Sequence, residues 1–286
     1  MKTKKLNLIM IAVLFSLGIN CVVTAQEYND KLSKEIAFDT NNKVFVLYNL
    51  FGSVNVKGVS GSKVKYDAKR HLHAETKSDL EKAKNEIQIM AEKHGDTIIV
   101  YLKSPNFDTR PGKKCNNNNR LPDKYSFSFD FDVQVPQNAE IMIYTVNDGD
   151  IHVENIHGKL KAKNINGSIN LENISRQTKA HTINGKVVVN YSKKPGGNSS
   201  FKTINGDINI VCDKNLSATI DYQSMNGEFY TNYDIEHLPH KINRSEKKKN
   251  NKTLYHLSHK PQFKIAGGKI KLSLETLNGD MTVRHL

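Results

Sequence analysis

Apolar and polar residues alternate with a period of two along most of the chain, and one stretch alone keeps a helical period. The alternation is cleanest at 127–135. There Phe127, Phe129, Phe131, Val133 and Val135 share one face and Ser128, Asp130, Asp132 and Gln134 the other, as in a strand with one buried side. Pro136 ends it, because proline has no N–H to give a ladder. Residues 43–50, 54–56, 63–69, 97–103 and 141–146 read as further strands. The helical period covers 78–94, where Leu80, Ala83, Ile87, Met90 and Ala91 form one stripe. Ser78 with Glu81 offers a capping box and Gly95 a stop signal. This predicts a single amphipathic helix laid on the core. Residues 26–42 read as a polar lead-in. Residues 104–124, with Pro105, Pro111-Gly112 and four consecutive asparagines, read as a loop.

From residue 147 a short unit recurs, in which Asn-Gly sits between apolar positions. Its copies are Ile165-Asn166-Gly167-Ser168-Ile169-Asn170-Leu171, Ile183-Asn184-Gly185, Ile204-Asn205-Gly206, Met225-Asn226-Gly227 and Leu277-Asn278-Gly279, and Asp148-Gly149-Asp150 opens the series. Gly149, Gly167 and Gly185 are 18 apart, and Gly185, Gly206 and Gly227 are 21 apart, with weaker half-steps near Gly158 and Ser175 between them. Each half-step holds one strand of about five residues, ~17 Å long, and one tight turn. Two half-steps make one flattened coil, and coils must stack because none can bury its apolar side alone. The expected fold is all-β: a β-solenoid of the β-helix or roll type with 18–21-residue coils, plus the one N-terminal helix. In that arrangement Asn166, Asn184, Asn205 and Asn226 stack, and the residues at Gly −2, +2 and +4 point inward. The six glycines, Gly149 to Gly279, serve as turn residues, where Asn and Gly both tolerate positive φ. Asn-Gly between alternating apolar residues is also a hairpin signal, so an antiparallel meander stays open. The expected division is an N-terminal β part at 43–145 and the repeats at 146–286, interrupted by an insert at about 236–262.

The order of these pieces resembles a bacterial adhesin-like family of unknown function, and more distantly the GIN-type adhesin head domain. The resemblance rests on Asn49-Leu50-Phe51-Gly52-Ser53-Val54, the helix from Leu80 to Ala91, the strand from Phe127 to Pro136 and the serial Asn-Gly units. It implies an exported β-solenoid of the cell envelope and assigns no catalytic residues. The insert after Glu236 departs from the pattern.

Composition adds location. Lys2, Lys4 and Lys5 precede an apolar run from Leu6 to Gly18, and Val23-Thr24-Ala25 supplies a small-residue cut site. This predicts a signal peptide cleaved after Ala25 and a protein in the periplasm, on the surface or secreted. A membrane anchor and a lipoprotein cut before Cys21 are the alternatives. No later segment is apolar enough to span a membrane as a helix. Cys115 and Cys212 then remain, either as two thiols or as a disulfide permitted by export.

The chain carries a net charge of +13. Residues 240–264 alone hold eight Lys and Arg against Glu246. Lys241, Arg244, Lys247, Lys248, Lys249 and Lys252 are therefore candidate contacts for an anionic envelope polymer or glycan, or for another envelope protein. Nucleic acid is excluded by export. His71 and His73, His152, His157 and His181, and the histidines of the insert lack structural zinc spacing, and the aspartates beside the glycines lack a calcium loop. No cofactor is expected. Asp150, Asp207, Glu228 and Asp280 are spread singly, without the paired carboxylates of a glycosidase. The expected function is non-enzymatic binding or scaffolding. Alternatives are a regulatory stress-response module docking an envelope protein and a polysaccharide-processing β-helix enzyme.

Overall fold

The computed structural model describes residues 25–38, 43–113, 124–239, 241–249 and 252–286, with side chains omitted at 241–249 and 252–260. The expected signal segment through Thr24, and Cys115 with its asparagine run, fall outside the described residues. The first half holds β1 (Gln26–Ala37), β2 (Val44–Tyr48), β3 (Val54–Val59), β4 (Lys63–Ala74), α1 (Lys77–Glu86), β5 (Gln88–His94), β6 (Thr97–Lys103), β7 (Tyr125–Pro136) and β8 (Glu140–Tyr144). Short strands follow: β9 (Ile151–Glu154), β10 (Leu160–Lys163), β11 (Ile169–Ile174), β12 (Thr178–His181), β13 (Val187–Tyr191), β14 (Ser199–Lys202), β15 (Ile208–Cys212), β16 (Ala218–Gln223) and β17 (Phe229–Thr231). The chain continues through β18 (Ile235–His237), β19 (Lys241–Lys249), β20 (Lys252–Lys260), β21 (Gln262–Ile265), β22 (Ile270–Glu275) and β23 (Met281–His285).

Two large sheets face each other. One runs β1-β4-β7-β3-β9-β11-β13-β15-β23-β17 and the other β18-β21-β16-β22-β14-β12-β10-β8-β2-β6-β5. From β7 to β17, and from β16 to β6, every neighbour is parallel. Strands therefore pair with the strand one full coil away, the signature of a β-solenoid rather than an antiparallel meander. Both sheets pass without a break through the region of residue 146. Antiparallel strands are confined to the two ends of the stack: β4 and β1 beside β7, β5 beside β6, and β21 and β18 beside β16. These strands cap three of the four parallel edges, which would otherwise recruit foreign strands, while β17 stays the edge strand of the first sheet.

The core forms because alternate side chains of each strand enter the space between sheets. Ile151, Ile169, Val187, Ile208 and Met281 make one inward column, and Val153, Leu171, Val189, Ile210 and Val283 the next, all fully buried. These are the Gly +2 and +4 positions. The Gly −2 positions differ from expectation: Ile165, Ile183, Ile204, Leu277 and Met225 are exposed, Met225 at 73%. The reason lies one residue earlier. Asn164, Thr182, Thr203, Ser224 and Thr276, at Gly −3, turn inward, and their side chains donate to a glycine carbonyl of the neighbouring coil at 2.8–3.2 Å, while Asn49 donates to its own Gly52 carbonyl and across to that of Phe129. A buried carbonyl needs such a donor. With Gly −3 facing in, Gly −2 must face out.

The asparagines form a ladder from coil to coil. Asn166 Nδ2 donates to Asn147 Oδ1, Asn184 to Asn166, Asn205 to Asn184, Asn278 to Asn205 and Asn226 to Asn278, each at 2.6–2.7 Å. Asn226 is thus not stacked on Asn205, as the sequence order suggests. The coil made by β22 and β23 lies between that of β14 and β15 and that of β16 and β17. The jump of 52 residues from Gly227 to Gly279 reflects this interposition. In the Asn-Gly corners at Gly167, Gly185, Gly206 and Gly279 positive φ falls on the glycine, for instance +156° at Gly185, while the asparagine before it stays at negative φ.

Three more elements depart from the sequence reading. The helix stops at Glu86, and Ile87 is already extended (φ −93°, ψ 113°). Met90 and Ala91 belong to β5, which pairs antiparallel with the open edge of β6. Gly95, at φ +60°, turns that hairpin rather than ending a helix. The cap is Thr76, whose Oγ1 accepts from Asp79 N–H at 3.1 Å. Residues 26–37 of the expected lead-in form β1, whose twelve residues all pair with β4. The basic insert is a β-hairpin, β19 against β20, carried at the β18–β21 edge.

Candidate functional site

The outward residues of β10, β12 and β14 make a lysine-rich face. In-register parallel pairing sets Lys161 beside Lys179, and then Ser200, in one row, and Lys163, His181 and Lys202 in the other. Both rows continue onto β8 and β2, as Met142 and Val46, and as Tyr144 and Tyr48. On the other side they meet Ser273 and Glu275 of β22. Lys202 Nζ pairs with Glu275 at 2.9 Å. Lys161, Lys163 and Lys179 have no carboxylate partner among the described residues. His181 sits amid these cations, its Nε2 3.2 Å from Ser200 Oγ. Burial first, then Lys202, Lys163, Lys161 and Lys179, hold its imidazole far below the usual range, at about 4. The ring is neutral at pH 7, and the face draws its charge from lysine.

At the β2–β8 end of these rows a groove of about 500 Å³ opens. Tyr48 and Tyr144 stack there, with ring centroids 4.6 Å apart, and Lys161 Nζ lies 5.5 Å from the Tyr144 ring centre. Leu50, Val146 and Ile165, all Gly −2 or −3 corner residues, form one wall, and Thr109 and Pro111 reach over from the segment after β6. That segment is fastened. Arg110 pairs with Glu92 at 2.9 Å and with Asp108 at 2.6 Å, and its guanidinium lies 4.0 Å from the Tyr101 ring centre. Thr109 Oγ1 accepts from Leu102 N–H at 3.0 Å and donates to the Tyr48 carbonyl at 3.2 Å.

The candidate contacts Lys241, Arg244, Lys247, Lys248 and Lys249 lie along β19, and Lys252 opens β20. Their side chains fall outside the described residues. The hairpin is separated from the lysine face by β22 and β16. Gly149, Gly167, Gly185, Gly206, Gly279 and Gly227 stand in one column, where a Cβ would approach the next coil's backbone to within 1.9–2.3 Å. They shape the corner and contact nothing beyond it. The aspartates beside them are engaged: Asp150 Oδ1 accepts from Ser168 N–H, Asp207 from Asp280 and Asp280 from Glu228, at 2.7–3.1 Å. His71 and His73 face carboxylates, Asp130 at 3.4 Å and Glu27 at 3.8 Å. Cys212 is buried, and burial pushes its thiol up to about 12. No grouping of three His, Cys, Asp or Glu able to hold a metal occurs among the described residues.

Sequence reasoning passed over the lysine face. Its signal was present: Lys-x-Lys at 161 and 163, Lys-x-His at 179 and 181 and Ser-x-Lys at 200 and 202 all precede an Asn-Gly corner by the same interval.

The sequence pattern of the Toastrack DUF4097 family matches residues 132–284. No curated protein matches the chain. Among solved structures, it is similar to a candidate cell adhesion protein from Clostridium sporogenes, with 12% identity and a TM-score of 0.42 over 91% of this chain and 100% of that one. A candidate adhesin from Bacteroides fragilis shows 11% identity and a TM-score of 0.36 over 90% and 97%. One from Parabacteroides distasonis shows 10% and 0.24 over the same shares.

Proposed function

The chain belongs to the Toastrack DUF4097 family, and from that premise we propose that it is a non-enzymatic, exported binding protein of the cell envelope that holds an anionic polymer or glycan. The observation that carries this reading is the row structure of β10 and β12, where three lysines without carboxylate partners are fixed in register on one flat surface. The strand register spaces these charges in advance, so the backbone need not rearrange to meet a polyanion. The basic hairpin of β19 and β20, a two-stranded sheet of its own, adds a second cationic element. The non-enzymatic reading is supported by the corner aspartates, whose oxygens already accept backbone N–H groups. Export is supported by the basic, apolar and small-residue order of residues 1–25. No helix among the described residues is long and apolar enough to cross a membrane.

Titration calorimetry with dextran sulfate and with polygalacturonate, at low and at physiological salt, tests the reading. Binding should weaken with salt, because screening shortens the reach of exposed charges. The triple change Lys161→Gln, Lys163→Gln and Lys179→Gln should reduce affinity at least fivefold with an unchanged circular dichroism spectrum. Binding of neither polymer at low salt, or equal binding by the triple variant, overturns it.

A further inference from the structure

We propose that the groove between Tyr48, Tyr144 and Ile165 is a binding site for a single-chain anionic amphiphile, a molecule with one carboxylate or phosphate head and an apolar tail. This goes beyond the polymer reading and does not depend on it.

The groove has the volume of a small-molecule site, about 500 Å³. Its polar scaffold is engaged except at Asn49 Oδ1, which is buried and has no hydrogen-bond partner among the described residues. Asn49 Nδ2 donates to the carbonyls of Phe51, Gly52 and Phe129, Asn164 Nδ2 to Gly149, and Thr145 Oγ1 to Gly52, at 2.9–3.1 Å. Asn164 Oδ1 accepts from Ile165 N–H at 2.8 Å. A sugar, which needs many donors and acceptors, finds few there. What the groove still offers is apolar surface on Leu50, Val146 and Ile165, the stacked tyrosine rings, and two ammonium groups, Lys161 and Lys163, on one rim.

Those ammonium groups, set beside an apolar wall and stacked rings, mark this groove. The groove of about 220 Å³ over β8, β10 and β12 shares Lys161 and adds Lys179, but its lining also holds Glu140, paired with Lys159 at 3.6 Å. In the groove of about 240 Å³ over β3 and β7, Lys57 pairs with Glu154 at 2.6 Å and Asp67 with Lys31 at 3.0 Å. In the one beside β4, the histidines face Asp130 and Glu27. Lys161 and Lys163 have no such counter-charge among the described residues, so an anionic head completes them. The apolar wall also runs on. Ile165 heads the exposed line of Ile183, Ile204, Leu277 and Met225, one residue per coil, ~4.8 Å apart. A tail leaving the groove meets apolar side chains along the corner rather than water. Because Arg110 and Thr109 already fasten the overhanging segment, the site is preformed.

Isothermal titration of the full chain with dodecanoate and with monododecyl phosphate, below their micelle concentrations, tests this, with dodecanol as the neutral control. Binding of one or both anions, at least tenfold tighter than dodecanol, is expected, and the preferred head distinguishes carboxylate from phosphate. Lys161→Gln with Lys163→Gln should weaken it at least tenfold. Ile165→Asn, at an exposed position, should weaken amphiphile binding while leaving dextran sulfate binding unchanged. That arm separates this site from the polymer reading. Absence of binding to both anions, equal binding of dodecanol, or indifference to Ile165→Asn in a folded variant overturns the proposal.

Discussion

Within a corner, a single atom decides what is tolerated. A Cβ on Gly185 would lie 2.3 Å from the Gly167 carbonyl oxygen, closer than two atoms can approach, and the residue sits at φ +156°. Gly185→Ala is expected to destabilise the fold by roughly 2–4 kcal/mol, through overpacking and backbone strain together. Gly61 shares a positive φ, +146°, with nothing within 4 Å of its Cβ. Gly61→Ala should therefore cost clearly less, and urea melts of the two variants measure the steric part by difference. His181 gives the pH dependence of this scale. Its value near 4 in the fold lies below the ordinary 6.5, so the unfolded chain binds the proton more readily. The stability it contributes is complete above about pH 6.5 and is lost as pH falls toward 4. His181→Gln should lose less stability than the wild-type protein between pH 7.5 and 4.5, while carboxylate effects common to both cancel. Polyanion binding by the wild-type protein should also strengthen toward pH 4, as the imidazole joins the lysine row.

Among the elements, the hairpin of β19 and β20 stands apart, since its strands pair only with each other. Replacing 241–260 by a short Gly-Ser link should leave the thermal midpoint within about 2 °C, as expected of a change outside the core, and should lower dextran sulfate affinity. A large fall in midpoint would show that the hairpin supports the stack. The sequence made most strands legible because inward and outward residues alternate strictly, as at Phe127 to Val135. It was least legible where two periods overlap. Leu80 and Ala83 do lie on a buried helix face and Ile87 is buried just past its end, but Met90 and Ala91 fit the same stripe by coincidence and are drawn into β5 by the open edge of β6. The Gly −2 residues misled for another reason. Apolar character implies burial only if the neighbouring polar residue prefers water, and here Thr182 and its equivalents find glycine carbonyls inside. The lysine face is hidden because its charges form no cluster along the sequence, whereas parallel register gathers lysines 18 residues apart, Lys161 with Lys179.

For the whole molecule, the position of β22 and β23 governs assembly. Residues 218–231 touch the rest of the stack through them: β16 pairs with β22, and β17 with β23. The turn between β21 and β22 straddles the start of β16, with Lys269 N–H donating to Ser217 Oγ at 3.3 Å. Removing 270–286 should therefore cost more than its own buried residues, Leu272, Leu274, Met281 and Val283, because it also unseats the coil at 218–231. Limited proteolysis should then cut within 213–240 first, and a protected 213–240 segment would show that this coil docks unaided. In a chain that emerges N-terminus first, the rung at 218–231 arrives before the seat it needs. The tower cannot finish by simple sequential zipping, and its closure waits on a strand pair that emerges some fifty residues later.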